Sequence, residues 1–267
     1  MIDQNLEALL EKTRDVVLEA GEIVKDQWDK PKNIKKKGRI DLVTQTDVAV
    51  ENFLKEKLAA ILPGSAFLAE ESAANVKPGP LTWIIDPVDG TTNYAHGLPH
   101  MCASVALWDE DRTVLGVVNA PILGECFTAI RGKGARLNGK PIAVSPEDSL
   151  EASLVATGFP YDVPTYLDRV LACMRAILPK AQGMRRAGAA ALDMAYVSCG
   201  RLEAFYEATL NPWDVAAGWL LVTEAGGRVT QFDPDVPYAL GALTMLCSNG
   251  PVHEEIGAAL LSGWGAV

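Results

Sequence analysis

Cysteine is sparse and unpaired in this sequence: Cys102, Cys126, Cys173, Cys199 and Cys247 are odd in number, and no two form a C-x-x-C pair. That pattern argues against a disulfide framework or a cysteine-built zinc site, and it predicts reduced, mostly packed thiols. Basic residues are also short, 24 lysines and arginines against 34 acids, for a formal charge of −10. General nucleic-acid binding needs a basic surface to neutralise phosphates, so it is disfavoured. A phosphorylated substrate stays open if metal ions supply the positive charge. A basic segment followed by a continuous apolar run is missing too, because MIDQNLEALLEKTRD carries acids early. Neither a signal peptide nor a membrane span is expected, which places the protein in the cytoplasm. No internal repeat, low-complexity stretch or long linker interrupts the chain. What is there is an ordinary globular composition, 49% hydrophobic and 22% charged over 267 residues, enough for one large domain or two closely packed halves.

Leu6, Leu9, Leu10, Val16, Val17, Ala20, Ile23 and Val24 recur with a period near 3.6 and predict a helix from about Asn5 to Trp28, stopped by Pro31. The basic stretch Lys30 to Arg39, KPKNIKKKGR, is interrupted by Pro and Gly and reads as a mobile loop. After LVTQT, Asp47 opens a second helical pattern that ends at Pro63-Gly64. Strands follow in AFLAE, LTWIID, CASVALW, VLGVVNAP and ECFTAIRG, with a Gly-rich hairpin around Asn138-Gly139. They suggest an antiparallel-rich sheet flanked by helices. Past about Ser145 come the strand SLVATG, helices over Tyr166 to Leu178 and Ala187 to Cys199, and the strand EAFYE. A helix over Val215 to Ala225, capped by Gly226-Gly227, then leads to strands RVTQF and MLCSN and a last helix over Val252 to Leu261. Alternation of strand and helix suggests an α/β second half. The halves are thus 1–145 and 146–267, with no composition break between them, packed as one compact unit.

The chemistry concentrates in WIIDPVDGTTN, residues 83–93, where an apolar strand runs into two carboxylates, a glycine and two hydroxyls. Asp86 and Asp89 should repel each other unless a cation lies between them. Magnesium suits that demand, since it takes oxygen ligands and favours one or two carboxylates together with water and substrate phosphate. Pro87 fixes a turn that lets Asp86, Asp89 and the Val88 carbonyl converge on one point, and Gly90 permits close backbone approach. Thr91 and Thr92 then start a short helix whose free N–H groups face a phosphate. A bare Asp-Pro turn with a threonine cap would explain a shorter string, but not this one. Two other apolar segments end in acids: Phe67-Leu68-Ala69 in Glu70-Glu71, and Asn211-Pro212-Trp213 in Asp214, which sits as a helix N-cap.

WIIDPVDGTTNYAHGLPH and WDVAAGWLLVTEAGG resemble the two signature motifs of the inositol monophosphatase family, and LVTQTD and AEES match its other two metal-site segments. The resemblance covers nearly the whole chain in the family's order and spacing. Thr92-Asn93-Tyr94 points to the inositol monophosphatase branch rather than to the bisphosphate nucleotidases or histidinol phosphatases. The resemblance implies a layered αβαβα sandwich of the inositol monophosphatase and fructose-1,6-bisphosphatase type, α+β to α/β in class. It also implies a lithium-sensitive, magnesium-dependent phosphatase with two to three ions per site, and a homodimer.

Residue by residue, it implies that Glu70, Asp86 and the Val88 carbonyl hold one magnesium and that Asp86, Asp89 and Asp214 hold a second. Cations about 3.5–4 Å apart turn acid repulsion into attraction. Asp47 and Thr91 would orient the nucleophilic water, and a third ion would lean on Glu70. The phosphate would rest on the amides of Gly90 and Thr91. The alcohol half would meet Gly188, Ala189, Ala190 and Glu207, with Asp89 and Asp214 also accepting from its hydroxyls. Lys36 matches a family lysine near the metals, and equally reads as a solvated lysine in a basic run. Ala69 and Tyr94 stand where the family often has Gly and Phe, and neither removes a ligand. His96 and His100 read as packing or rim groups.

The expected reaction is hydrolysis of inositol 1-phosphate or a close polyol monophosphate. Fructose 1,6-bisphosphate, a nucleotide 3′-phosphate or NADP are alternative substrates, for which Arg185-Arg186 is the candidate basic pair. A regulatory protein contacting the transcription or RNA-processing machinery is a reading of another class. The intact Asp47, Glu70, Asp86, Asp89 and Asp214 weigh against loss of catalysis.

Overall fold

The structure is a computed structural model describing residues 6–32, 34–36, 42–72 and 77–265. Helix α1 (Leu6–Trp28) follows the apolar period, and Asn5, where the pattern was expected to begin, lies outside the described residues. The basic segment after it is not simply a loop. Ile34–Lys36 forms a strand, β1, paired antiparallel with β2 (Leu42–Thr44), with Lys35 opposite Val43. Backbone pairing with β2 outweighs the local polarity. Within the expected loop, residues 33 and 37–39 and the side chain of Lys36 lie outside the described residues.

Helix α2 (Gln45–Ile61) is followed by β3 (Ala66–Ala69), β4 (Thr82–Asp89), the short α3 (Thr91–Ala95), β5 (Cys102–Asp109), β6 (Arg112–Ala120) and β7 (Glu125–Ile130). A hairpin, β8 (Gly134–Leu137) and β9 (Lys140–Ile142), turns on Asn138 and Gly139, both at positive φ as a two-residue turn requires. Strands β3 to β9 form one seven-stranded sheet in sequence order, parallel between β3 and β4 and antiparallel from there on.

The second sheet is built from β10 (Leu154–Thr157), β11 (Gly183–Arg185), β12 (Ala204–Ala208), β13 (Arg228–Thr230) and β14 (Thr244–Ser248), in the order β11-β10-β12-β14-β13. Strand β11 went unread in the sequence because three residues, one of them a glycine, carry no alternation. Helices α4 (Val163–Ile177), α5 (Ala190–Ser198), α6 (Pro212–Glu224) and α7 (His253–Gly265) complete the chain.

Side-chain alternation explains the layering. In β4, Trp83 and Ile85 join the core beneath α1 and α2, while Ile84 joins the core beneath α5 and α6. In β12, Phe205 faces the α5–α6 layer, and Ala204 and Tyr206 face α4 and α7. Both sheets are therefore covered on both faces, so their strands read as continuous apolar runs. The result is an αβαβα sandwich: α1 and α2, the seven-stranded sheet, α5 and α6, the five-stranded sheet, α4 and α7. Helix α6 is apolar all round because it lies in the middle layer, with Leu220 and Leu221 in one core and Val215 and Val222 in the next. Its close seating depends on Gly116, where an added Cβ would stand 3.2 Å from the Ala217 backbone.

Candidate active site

The acids of WIIDPVDGTTN sit at the end of β4, but not on a simple turn. Strand pairing continues past Pro87: Asp86 faces Ser104 and Asp89 faces Cys102, so three steps on β4 oppose two on β5. This is a β-bulge, which re-aims side chains next to a strand end. Proline favours it, since it has no N–H to give the ladder. Gly90 then stands in the left-handed region at φ +90°, and α3 starts at Thr91. A Cβ on Gly90 would meet the His100 carbonyl at 3.1 Å and the Ala189 Cβ at 3.2 Å, so the backbone passes between two loops where only glycine fits easily.

Asp47 and Asp214 are not the N-caps the sequence suggested. Thr44 and Asn211 hold those positions, and each acid lies three residues further on, accepting from the N-cap amide: Thr44 N to Asp47 Oδ2 at 3.0 Å, Asn211 N to Asp214 Oδ2 at 2.7 Å. Threonine in a β conformation and a proline at the first helical position start the two helices one turn earlier than the acids alone imply. Each acid thereby spends one oxygen on its own helix and keeps the other for the site. Asp47 Oδ1 accepts from the Thr91 hydroxyl at 3.0 Å, and the same hydroxyl lies 3.0 Å from the Val88 carbonyl.

Asp89 reaches across to the second half of the chain and accepts from the amides of Ala190 (3.2 Å) and Ala191 (2.7 Å) at the start of α5. Asp86 Oδ1 accepts from the Val88 amide at 3.0 Å. Asp86 thus bonds within its own turn while Asp89 bonds to the start of α5. Among the described residues, no three His, Cys, Asp or Glu side chains gather closely enough to hold a metal ion as placed.

The electrostatics still mark the group as one cluster. Burial first, then the charges of Glu70, Asp89, Asp214 and Asp47, push Asp86 well above the ordinary carboxylate range. Burial and Asp89 do the same to Asp214, and burial takes Asp89 to about 6 against the pull of the Ala191 amide. Burial also raises Asp47, partly offset by its bonds to Thr44 and Thr91. Glu70, Asp89 and Asp214 all bear on Asp86, and these anionic oxygens make a set suited to hard divalent cations. Each carboxylate retains acceptor capacity beyond the bonds it makes.

In front of the cluster lies a cleft of about 560 Å³, lined by Asp89, Gly90, Thr91, Gly188, Ala189, Ala190, Glu207 and Asp214 together with Asn93, Asp193, Gly158, Phe159, Tyr161 and Arg186. Asp47 and the Val88 carbonyl are outside this lining and joined to it through Thr91, and Asp86 is bonded to the Val88 amide. Glu207, which by position on a strand end reads as a surface acid, points into the cleft. Burial pushes it to about 8, against the pull of Arg186, so it is mostly neutral at pH 7 rather than the charged acceptor expected. Its carboxyl packs flat on the Gly158 Cα, where a Cβ would occupy the same space.

Sequence reasoning passed over Asn93 and Asp193. Asn93 donates to the His100 carbonyl (2.7 Å) and the Ala187 carbonyl (2.8 Å), tying the loop after α3 to the segment before α5. Asp193 pairs with His100 Nε2 at 3.1 Å, which gives that rim histidine its partner. The only signal for Asp193 was a carboxylate in an otherwise apolar helix.

This arrangement has relatives. The sequence model of the Inositol monophosphatase family matches residues 5–263. The chain belongs to the inositol monophosphatase family. It is 42% identical over 258 residues to the inositol-1-monophosphatase of Synechocystis, covering 96% of this chain and 90% of that one. It is 43% identical over 205 residues to the Nus factor SuhB of Pseudomonas aeruginosa, covering 75% and 76%. The solved structure of the Thermotoga maritima IMPase superposes with a TM-score of 0.89 at 33% identity, covering 96% of this chain and 98% of that one. The inositol monophosphatase sandwich is thus the fold of this chain. Among the described residues no helix is long and apolar enough to cross a membrane.

Proposed function

We propose that this chain is a magnesium-dependent phosphomonoesterase that hydrolyses inositol 1-phosphate or a close polyol monophosphate. The observation that carries the reading is the Thr91–Asp47 hydrogen bond beside the clustered carboxylates, which joins a proton acceptor to a set of metal-type oxygen donors. Glu70, Asp86, the Val88 carbonyl, Asp89 and Asp214 would hold two to three magnesium ions. When bound, these supply positive charge to the phosphoryl oxygens and acidity to a water.

The chain's own residues do the rest. Thr91 gives its hydroxyl proton to Asp47, which leaves its lone pairs to accept from the attacking water. Asp47 takes the proton, and burial makes it a stronger base than an exposed aspartate. The N–H groups of Gly90 and Thr91 would hold the phosphoryl oxygens, and positioning of this kind does most of the work in phosphoryl transfer. Gly188, Ala189, Ala190, Glu207, the second oxygen of Asp214 and the remaining acceptor capacity of Asp89 would meet the polyol. We infer that residues 1–145 and 146–267 work as one unit, because Asp89 from one half is seated on α5 of the other. A cytoplasmic homodimer inhibited by lithium accords with the family.

Chelation is the direct test. Phosphate release from inositol 1-phosphate should vanish with excess EDTA and return with magnesium, and calcium should inhibit through its looser coordination. Full activity in chelator would overturn the reading. A second reading has its own support, because relatives of similar identity are named as Nus factors. Co-purification from lysate, with and without nuclease, would test for a partner in the transcription machinery.

A further inference from the structure

The cleft has four acids in its lining, Asp89, Asp193, Glu207 and Asp214, and one fixed cation among the described residues, Arg186. Opposite charges so close would ordinarily pair, yet among the described residues Arg186 makes no ion pair within 4.0 Å and no hydrogen bond. It is held another way. Its guanidinium carbon stands 4.8 Å over the ring of Phe159. Gly188, at φ +95°, makes room for it, since a Cβ there would collide with Nη1. An arginine stacked on a ring is immobilised through its face, and its N–H edge stays available for a bidentate anion.

The position of this edge matters. Arg186 lowers the pKa of Glu207 and of Asp193, so its charge is felt at the alcohol end of the cleft. Phe159 follows Gly158, the residue on which Glu207 is packed, so the cation and the polyol-facing acid share one support. Resting on the phosphatase reading above, we propose that Arg186 stacked on Phe159 forms a second anion subsite that selects phosphoesters carrying a further phosphoryl group on the alcohol half. Guanidinium and phosphoryl match as two parallel N–H···O bonds. A solvated arginine would need neither the ring beneath it nor the glycine beside it.

The test compares inositol 1-phosphate with fructose 1,6-bisphosphate in the wild type, Arg186→Gln, Arg186→Lys and Phe159→Leu. Thermal melting would confirm that all of them fold. Arg186→Gln should lower kcat/KM for the bisphosphate about 10- to 100-fold, the usual size of a charge-assisted bidentate contact, and change the monophosphate less than about twofold. Arg186→Lys should recover only part of the loss, because an ammonium neither stacks nor grips bidentately. Equal losses on both substrates would mean that Arg186 serves Glu207 or the fold, and no loss would mean a solvated side chain. Either result overturns the subsite.

If the wild type hydrolyses neither ester, the phosphatase reading fails and the subsite is judged by binding alone. Calorimetric titration of fructose 1,6-bisphosphate into Asp47→Asn, with and without Arg186→Gln, must then show the same 10- to 100-fold difference, and equal affinities would overturn it. Inorganic phosphate separates the source of the anion: if it alters inositol 1-phosphate turnover only where Arg186 is present, the subsite takes free phosphate. Adenosine 3′,5′-bisphosphate that depends on Phe159 but not on Arg186 would show a base-stacking rim and overturn the proposal.

Discussion

Thr91 has one hydroxyl proton and two acceptors at 3.0 Å, Asp47 and the Val88 carbonyl, so its proton is committed and the oxygen can only accept from a further partner. Asp47→Asn keeps the size of the side chain and removes the base. Turnover of inositol 1-phosphate should fall about 10²- to 10⁴-fold, while the magnesium midpoint stays put, because Asp47 is not a proposed ligand. Steady-state kinetics across a magnesium series would check both. Glu207 behaves differently from what its residue type suggests. With its pKa at about 8 it is mostly protonated at pH 7, so the amide of Glu207→Gln imitates it. At pH 6.5 that variant should keep kcat/KM for inositol 1-phosphate within about threefold, and Glu207→Ala should lose about tenfold or more. Above pH 8 the wild type becomes a charged, stronger acceptor and should draw away from the Gln variant, with a midpoint near 8. A ratio of the two that is flat from pH 6 to 9 would show that Glu207 does not titrate in this range.

Two helices, α2 and α6, deliver acids to the site by the same device. Each begins with a cap residue whose amide is accepted three positions later by Asp47 or Asp214, which fixes one carboxylate oxygen and aims the other. The third delivery element is β4 with its bulge, followed by Gly90 in the left-handed region. Gly90→Ala should therefore cost more than an ordinary glycine substitution. The left-handed backbone costs about 1–2 kcal/mol for a residue with a Cβ, and the new atom would also press on the His100 and Gly188 carbonyls at 3.1 and 3.3 Å. Urea unfolding should show the lost stability, and turnover should fall further than the folded fraction does, since α3 and its amides would shift. A fall in turnover that merely tracks unfolding would remove Gly90 from the phosphate-binding machinery.

Over the whole molecule, acids from both halves meet at one cleft, and their cost appears in the pH dependence of folding. Asp89 at about 6 and Glu207 at about 8 hold protons in the folded state that the unfolded chain releases near its ordinary carboxylate values. A raised pKa means stability that is full below the unfolded value and lost as pH rises through the folded one. In EDTA, melting temperature should therefore fall from about pH 4 to about pH 8. The Asp89 part, on the order of 2–3 kcal/mol, should go first. Magnesium should restore stability most above pH 6, where the carboxylates are ionised, and Asp86→Asn should raise the melting temperature in EDTA while nearly abolishing turnover. Melting curves in EDTA and in magnesium from pH 5 to 9 would decide it, and a metal-free protein that grows more stable with rising pH would contradict the assignment.

The sequence by itself determined most of the elements and the family to which the site belongs. Strands covered on both faces read as apolar runs, α1 kept its 3.6 period, and D-P-V-D-G-T-T carried its acids, glycine and hydroxyls in an order tied to one backbone path. Short pieces escaped it: β1 and β11 hold three residues each, too few for alternation to show. Tertiary structure alone decided which groups from distant segments face each other. That Asp89 rests on the amides of Ala190 and Ala191, that Asn93 ties two loops, and that Arg186 lies over Phe159 are contacts between residues far apart in the chain. It also decided charge state, because desolvation depends on what packs around a carboxyl and not on its neighbours in sequence. Glu207 is a plain strand-end glutamate in the string of letters, and only the closing of the two sheets over α5 and α6 makes it a mostly neutral group at the mouth of an acidic cleft.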